Sequence, residues 1–411
     1  MEKYNEYKDS GIEWLLDKIP SHWEVKRVKD LCRMQSGFYI SANDFQDSGF
    51  PIYGGNGFRG FSENYNHDGD YTLVGRQGAL CGNINYAKGK FWATEHAIVV
   101  YEKKDINKLW FGELLRLMDL NQYSLSAAQP GLSVEKIKRL KLPFVSSLKE
   151  QTQIANYLDA KTTLIDKKIK LLQQKIKHYK AYRKTLINET VTKGLDKTVK
   201  LKDSGIEWIG PIPEHWEVKR FKEICYKNHT GGTPSTSNTD MFRGDNIWVT
   251  IADMKKDDLV FDSKLKLTDE AIKTSNIPIT PKGSLLYSFK LTLGKIAFAA
   301  KDIYTNEAII SILPNKNIVL RYHYYMLPIY LLLNATENIY GAKMLNQKLI
   351  SNALLLHPTI KEQQQIADFL DAKTTTIDNI INNIETQITT LKELRKTLIN
   401  EVVTGKVKVT A

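Results

Sequence analysis

EQTQIANYLDAKTTLID, residues Glu150 to Asp166, returns as EQQQIADFLDAKTTTID, residues Glu362 to Asp378. Downstream of each copy the apolar residues keep a fixed beat. In the second they fall at Ile377, Ile381, Ile384, Ile388 and Leu391, in the first at Ile165, Ile169, Leu172, Ile176 and Tyr179. Alternating steps of four and three are the heptad seam of a coiled coil. No proline or glycine interrupts either run, and Gly194 and Gly405 follow as C-terminal stop signals. The pattern therefore predicts two long helices, over 150–194 and 362–405. Each would extend roughly 65 Å at about 1.5 Å per residue.

The repeat continues outward. RKTLINETVT (Arg183 to Thr192) returns as RKTLINEVVT (Arg395 to Thr404). Upstream, KDSGIEW occurs at Lys8 to Trp14 and again at Lys202 to Trp208, and IPSHWEVKR (Ile19 to Arg27) matches IPEHWEVKR (Ile212 to Arg220). The offset is 194 and then 193 at the early blocks, but 212 at both late ones. The helical blocks thus align without insertion or deletion, while the stretches before them differ by 19 residues and share little. A constant frame carries two differently tuned middles.

An apolar seam cannot stay in water, and the other copy is the obvious partner. Glu150 to Lys193 holds ten basic and four acidic residues, whereas Glu362 to Gly405 holds four basic and seven acidic. Opposite charge favours pairing. Two such helices with a folded domain between them most simply pair antiparallel. The lysines Lys167, Lys168, Lys170, Lys175, Lys177 and Lys180 invite reading as a DNA-binding face. A solvated flank beside an acidic partner is the preferred account.

A length of 411 residues calls for two or more domains. No apolar run reaches the roughly 18 residues of a membrane span, and Met1 to Glu6 carries no apolar secretion signal. Cys32, Cys81 and Cys225 are sparse and lack metal-ligand spacing, which suits a reducing cytoplasm. Cys32 and Cys225 each follow their frame arginine by five residues and read as buried frame residues. His22 and His215, beside Trp23 and Trp216, read as structural pairs. A net charge of +12 favours a polyanionic partner without requiring one.

The middles, 28–149 and 221–361, read as mixed α/β, with strands at Tyr71 to Val74, Ala97 to Tyr101 and Ala308 to Leu313. Loops rich in glycine and asparagine lie between: PIYGGNGFRG (Pro51 to Gly60), VGRQGALCGN (Val74 to Asn83), HTGGTPSTSN (His229 to Asn238), YSFKLTLGKI (Tyr287 to Ile296) and TNEA (Thr305 to Ala308). Glycine lets backbone approach a ligand closely, and Asn, Gln and Arg can pair with base edges. The candidates for DNA contact are Gly55, Asn56, Arg59, Arg76, Gln77 and Gln129 in the first middle. In the second they are Gly232, Thr233, Ser235, Lys290, Asn306 and Lys343. Each loop alone also fits an ordinary hairpin turn. None matches a nucleotide-binding phosphate loop, and no Asn/Asp-Pro-Pro-aromatic methyltransferase signature occurs. Asp269, Glu270 and Lys273 lack nuclease spacing and read as solvent-facing.

With repeat, middles and helices together, the chain resembles the specificity subunit of type I restriction–modification systems over essentially its whole length. The helix starts are the most specific element. GLSVEKIKRLKLP (Gly131 to Pro143), PIYGGNGFRG and GGTPS (Gly231 to Ser235) resemble pieces of that family's target-recognition domains. The second copy departs before its helix, where His357 to Glu362 is shorter than Leu142 to Glu150. The resemblance implies an α+β fold with an internal pseudo-two-fold repeat. Its target-recognition domains would occupy 1–149 (constant segment 1–27) and 195–361 (constant segment 202–220). Each would read half of a bipartite, asymmetric site on double-stranded DNA, and the helices at 150–194 and 362–405 would set the unread spacer.

The helices would also dock two modification subunits. Those partners would bring S-adenosylmethionine and adenine methylation, and restriction subunits would bring ATP, Mg2+ and cleavage. The chain itself would bind no cofactor and catalyse nothing. A type IIB-like specificity subunit, a coiled-coil scaffold and an autonomous DNA enzyme are the competing readings. The divergent middles oppose the scaffold, and the missing cofactor motifs oppose the enzyme.

Overall fold

The computed structural model describes residues 2–15, 17–78, 80–124, 131–255, 258–337 and 341–409. The heptad runs form two continuous helices, Leu148–Lys193 of 46 residues and Ile360–Val403 of 44. Gly194 and Gly405 sit just beyond the ends with φ of 73° and 76°, the left-handed conformation that stops a helix at little cost when the residue is glycine.

The chain forms two compact units, Met1–Gln173 with Ile384–Ala411, and Gln174–Asn383. Each long helix contributes one end to each unit, so a structural unit is not a sequence repeat. In the first unit Ile154 and Leu158 share a core with Leu398, Ile399, Val402 and Val403. Direction follows from two contacts. The Trp23 indole donates to Glu150 while its ring lies beneath Gly405, and Arg395 pairs with Asp166 at 3.1 Å. The two helix ends in this unit are therefore antiparallel.

The second unit repeats the arrangement with the helices exchanged. Trp216 donates to Glu362 and lies beneath Gly194, and Arg183 pairs with Asp378 at 3.1 Å. These ion pairs are partly exposed and each contributes at most about 1 kcal/mol. Apolar burial along the seam, including Ile377, Ile381, Ile384 and Ile388, carries more of the stability.

The constant frame explains the Glu-Gln that opens each helix motif. Glu150 also meets His22 at 3.1 Å, as Glu362 meets His215 at 2.8 Å. The next residue is fully buried in both copies. Gln151 accepts the backbone N–H of Asn107 at 2.7 Å, and Gln363 that of Val319 at 2.9 Å. Those two residues cap the helices Lys108–Leu117 and Leu320–Leu333 that back the sheets.

Frame hairpins recur in register, Tyr7–Asp9 on Lys18–Pro20 and Leu201–Asp203 on Pro211–Pro213. Glu24–Arg27 pairs with Lys141–Phe144 as Glu217–Arg220 pairs with Leu354–His357. The shorter second connection thus falls after the strand and leaves it intact. Cys32 and Cys225 are both buried, and burial raises the Cys32 thiol to about 12.

The middles share a topology that their residues conceal. In the first, an antiparallel sheet runs in the order Cys32–Ser36, Ala97–Glu102, Tyr71–Gly75, Ile84–Ala87. In the second the order is Asn228–Thr230, Ile309–Ile312, Leu285–Ser288, Ile296–Ala299, with Leu259–Val260 added at the edge. A smaller sheet in each contains one parallel pair, Phe50–Gly54 with Lys90–Ala93 and Asn246–Val249 with Tyr304–Thr305.

Candidate nucleic-acid interface

Loops converge at one end of each main sheet. In the first unit the hairpin turn at Gly55 and Asn56 lies against the loop after Tyr71–Gly75. A Cβ on Gly75 would sit 2.0 Å from the Gly55 carbonyl, and one on Gly55 would sit 2.9 Å from that of Gln77. Only glycine allows this approach. The Asn83 amide donates to Asn56 Oδ1 at 2.7 Å, and the Gln77 backbone bridges to Gly131. Arg76 donates from its side chain to Ser36 Oγ at 3.2 Å and from its backbone to His96 at 2.8 Å.

Four of the first-middle candidates therefore lie on converging loops, and Arg59 lies on the adjoining strand Gly57–Ser62. The side chains of Asn56, Arg59 and Gln77 are exposed there, while Arg76 is half-buried. Arg59 lies over the Phe45 ring at 5.7 Å. Gln129 lies outside the described residues.

The second unit builds its cluster on the same backbone. Asn306 N donates to Val249 O at 3.1 Å, as Thr94 N donates to Tyr53 O at 2.9 Å. Phe289 N donates to Ala308 O at 3.0 Å, as Arg76 N donates to His96 O. Gly231 meets the Thr305 carbonyl where Gly37 meets that of Ala93. These matches make Gln77 equivalent to Lys290, Thr94 to Asn306 and Glu95 to Glu307.

The Thr233 hydroxyl donates to Glu307, and that bond chiefly holds the carboxyl below its usual range, with Lys290 helping. Gly232, Thr233, Lys290 and Asn306 are thus brought together. The Ser235 hydroxyl meets Ser237 at 2.7 Å instead. Lys343 donates to the Leu332 carbonyl, and the Leu332 side chain lies under Gly294 at the back of the Lys290 loop.

Glu95 and Glu307 do not stand out in the sequence, because acids weigh against a polyanion and the backbone equivalence is invisible in residue identity. Glu95 pairs with His96 at 3.1 Å. A carboxylate in a DNA-reading loop can accept from the cytosine N4 amine. Phe38 and Tyr39, both strongly exposed beyond Cys32–Ser36, are further surface that periodicity did not reveal. Lys167, Lys168, Lys170, Lys175, Lys177 and Lys180 on the first long helix are all exposed, as are Asp269, Glu270 and Lys273. Among the described residues no three His, Cys, Asp or Glu side chains converge, and no helix is long and apolar enough to cross a membrane.

The family model described as the type I restriction modification DNA specificity domain matches residues 20–178 and again 213–390. The chain belongs to that family. Its two matches start at the two frame segments, so each sequence repeat is one family domain. The EcoprrI specificity subunit of Escherichia coli is 42% identical over 167 residues, 39% of this chain and 41% of the relative. The MjaIX specificity subunit of Methanocaldococcus jannaschii is 28% identical over 191 residues, 45% and 43% respectively. The match thus spans about two fifths of each of those relatives. A putative specificity subunit of Haemophilus influenzae is 25% identical across 91% of this chain and 92% of its own.

Among solved structures, a chain from a type I R-M system superposes with TM-score 0.72 over 95% of this chain and all of its own, at 15% identity. The HsdS subunit of Thermoanaerobacter tengcongensis gives 0.56 over 95% and 99%, also at 15%. Those likenesses establish the fold, two mixed α/β domains on paired long helices.

Proposed function

We propose that the chain reads a bipartite, asymmetric DNA site, one half with each loop cluster, and is itself non-catalytic. The observation that carries this is one backbone scaffold presenting different side chains in the two units: Gln77 against Lys290, Thr94 against Asn306. Closely similar frames with unlike heads suit two unlike half-sites. In this reading 1–149 and 195–361 are the target-recognition domains. Phosphate contacts position the heads, and Asn56, Arg59, Gln77, Thr233, Lys290 and Asn306 reach base edges. Modification subunits dock on the long helices with S-adenosylmethionine. Restriction subunits supply the ATP- and Mg2+-dependent steps, all in the cytoplasm.

The test is to sequence the methylated sites of a host carrying this chain with its modification subunit, then exchange residues 28–149 for those of another family member. One half-site is expected to change while the other half stays as it was. Joint change of both halves would overturn independent heads.

The helices, each continuous through both units, are proposed to set the unread gap. Seven residues inserted after Ile176 preserve the heptad register and add about 10 Å. At about 3.4 Å per base pair the spacer is expected to lengthen by roughly one to three base pairs, with the same bases read. A folded, active insertion variant that methylates only the original spacing would make the helices a dock and not a ruler.

A further inference from the structure

We infer that Leu291 is an apolar probe that enters the DNA and packs against a nucleobase in the half-site read by the second unit. This rests on the DNA-reading function proposed above. Leu291 is 97% exposed, so its side chain stabilises nothing within the unit. Its backbone is also left-handed, with φ of 58°, a conformation strained for a leucine and free for glycine. Folding alone accounts for neither feature, and a glycine or polar residue would serve the turn better.

The loop is held in this shape from below. Ser288 is fully buried, and its hydroxyl donates to the Thr292 carbonyl at 2.6 Å and accepts from Lys295 N at 2.9 Å. Its carbonyl accepts from Gly294 N at 2.9 Å, and the Lys295 ammonium is tied to the Ile251 carbonyl at 3.0 Å. The strain therefore persists because its surroundings hold it, the pattern expected where a conformation serves binding.

Position completes the case. Leu291 follows Lys290, whose charge acts on Glu307 in the reading cluster. The loop joins Leu285–Ser288 to Ile296–Ala299, and its equivalent in the first unit joins Tyr71–Gly75 to Ile84–Ala87. That loop closes through Gly82 N on Gly75 O as this one closes through Gly294 N on Ser288 O. It too presents a leucine, Leu80, 53% exposed. Two loops of unlike sequence, at the same place in the topology of their own units, thus each carry an exposed leucine. On a surface that meets a polyanion, the apolar counterpart is the bases, between which such side chains wedge or against whose edges they pack.

The test uses the chain assembled with its modification subunits, a duplex carrying the mapped site and a duplex with that site scrambled. For Leu291→Gly the strain is relieved, so Tm is expected to rise by about 2–4 °C while affinity for the mapped site falls about tenfold. Affinity for the scrambled duplex should stay at the wild-type value. Leu291→Ala keeps the strain and loses the side chain, so affinity should fall with Tm unchanged. A 2-aminopurine at the contacted step should fluoresce less in the Leu291→Gly complex than in the wild type.

Wild-type discrimination between the duplexes, with Leu291→Gly binding the mapped site as tightly as wild type, would overturn the role of Leu291 alone. A lowered Tm in both variants would also overturn it, by showing that the side chain packs within the protein. A wild-type complex that binds both duplexes equally would overturn the DNA-reading function itself.

Discussion

Replacing Trp216 with alanine is expected to destabilise the second unit by about 3–5 kcal/mol, the usual cost of deleting a buried aromatic. The ring is fully buried, its N–H donates to Glu362 at 3.0 Å, and its edge lies 3.1 Å from where a Cβ on Gly194 would be. One side chain thus ties the start of one long helix to the stop of the other within this unit. Packing should dominate over the hydrogen bond. Burial raises the Glu362 carboxyl, but bonds from Trp216, His215 and Thr359 outweigh it and hold the group low. Without the indole, two of those three partners remain. Trp216→Phe keeps most of the ring and loses the N–H, so roughly 1–3 kcal/mol is expected for a bond to a charged acceptor.

Urea unfolding followed by amide hydrogen exchange reads the effect locally. Protection should fall over Glu362 to Ile377 in Trp216→Ala and stay unchanged in the strand Ala97–Glu102 of the first unit. Trp23→Ala, the equivalent change beneath Gly405, should reverse that pattern. An alanine variant within 1 kcal/mol of wild type would show that the frame tryptophan does not hold the helix ends.

The frame was legible because its physics is written in side chains. Heptad spacing needs apolar residues at fixed steps, and the stop at Gly405 needs a residue that tolerates positive φ, so both survive as pattern. Even the Glu-Gln opening each helix recurs for a reason, one residue for the tryptophan and one for the cap of the neighbouring helix. The middles were opaque for the opposite reason. The bonds that make Thr94 equivalent to Asn306, and Arg76 to Phe289, run between backbone atoms and place few demands on the side chain. The same freedom lets the heads diverge. Periodicity shows which face of a strand is buried, but not which loops meet at its end. Asn56 and Gln77 stand out as candidates by their chemistry, whereas the exposed, left-handed Leu291 could be found only from coordinates.

Acidification is expected to weaken the second unit through His323. This residue is fully buried on Leu320–Leu333, where its Nδ1–H donates to the Val319 carbonyl at 2.9 Å and its Nε2 has no partner among the described residues. Burial lowers its pKa from 6.5 to about 4, with His357 adding to the effect and the Val319 carbonyl opposing it. The unfolded chain takes up the proton near pH 6.5, while the folded unit resists until about pH 4. The stabilising contribution is therefore complete above pH 6.5 and drains away as the pH falls toward 4. It should amount to about 2 kcal/mol lost by pH 5 and about 3 by pH 4, at roughly 1.4 kcal/mol per pH unit.

His229 and His357, also lowered by burial, act in the same direction. His323→Leu isolates the contribution, because it fills similar space and cannot titrate. Its urea stability between pH 7.5 and 5 should fall by about 2 kcal/mol less than that of wild type. Exchange in wild type should quicken first in Leu320–Leu333 and then at the start of the second long helix, since Val319, the cap of the former, donates to Gln363 in the latter. Equal pH slopes for the variant and the wild type would place the acid sensitivity elsewhere in the unit.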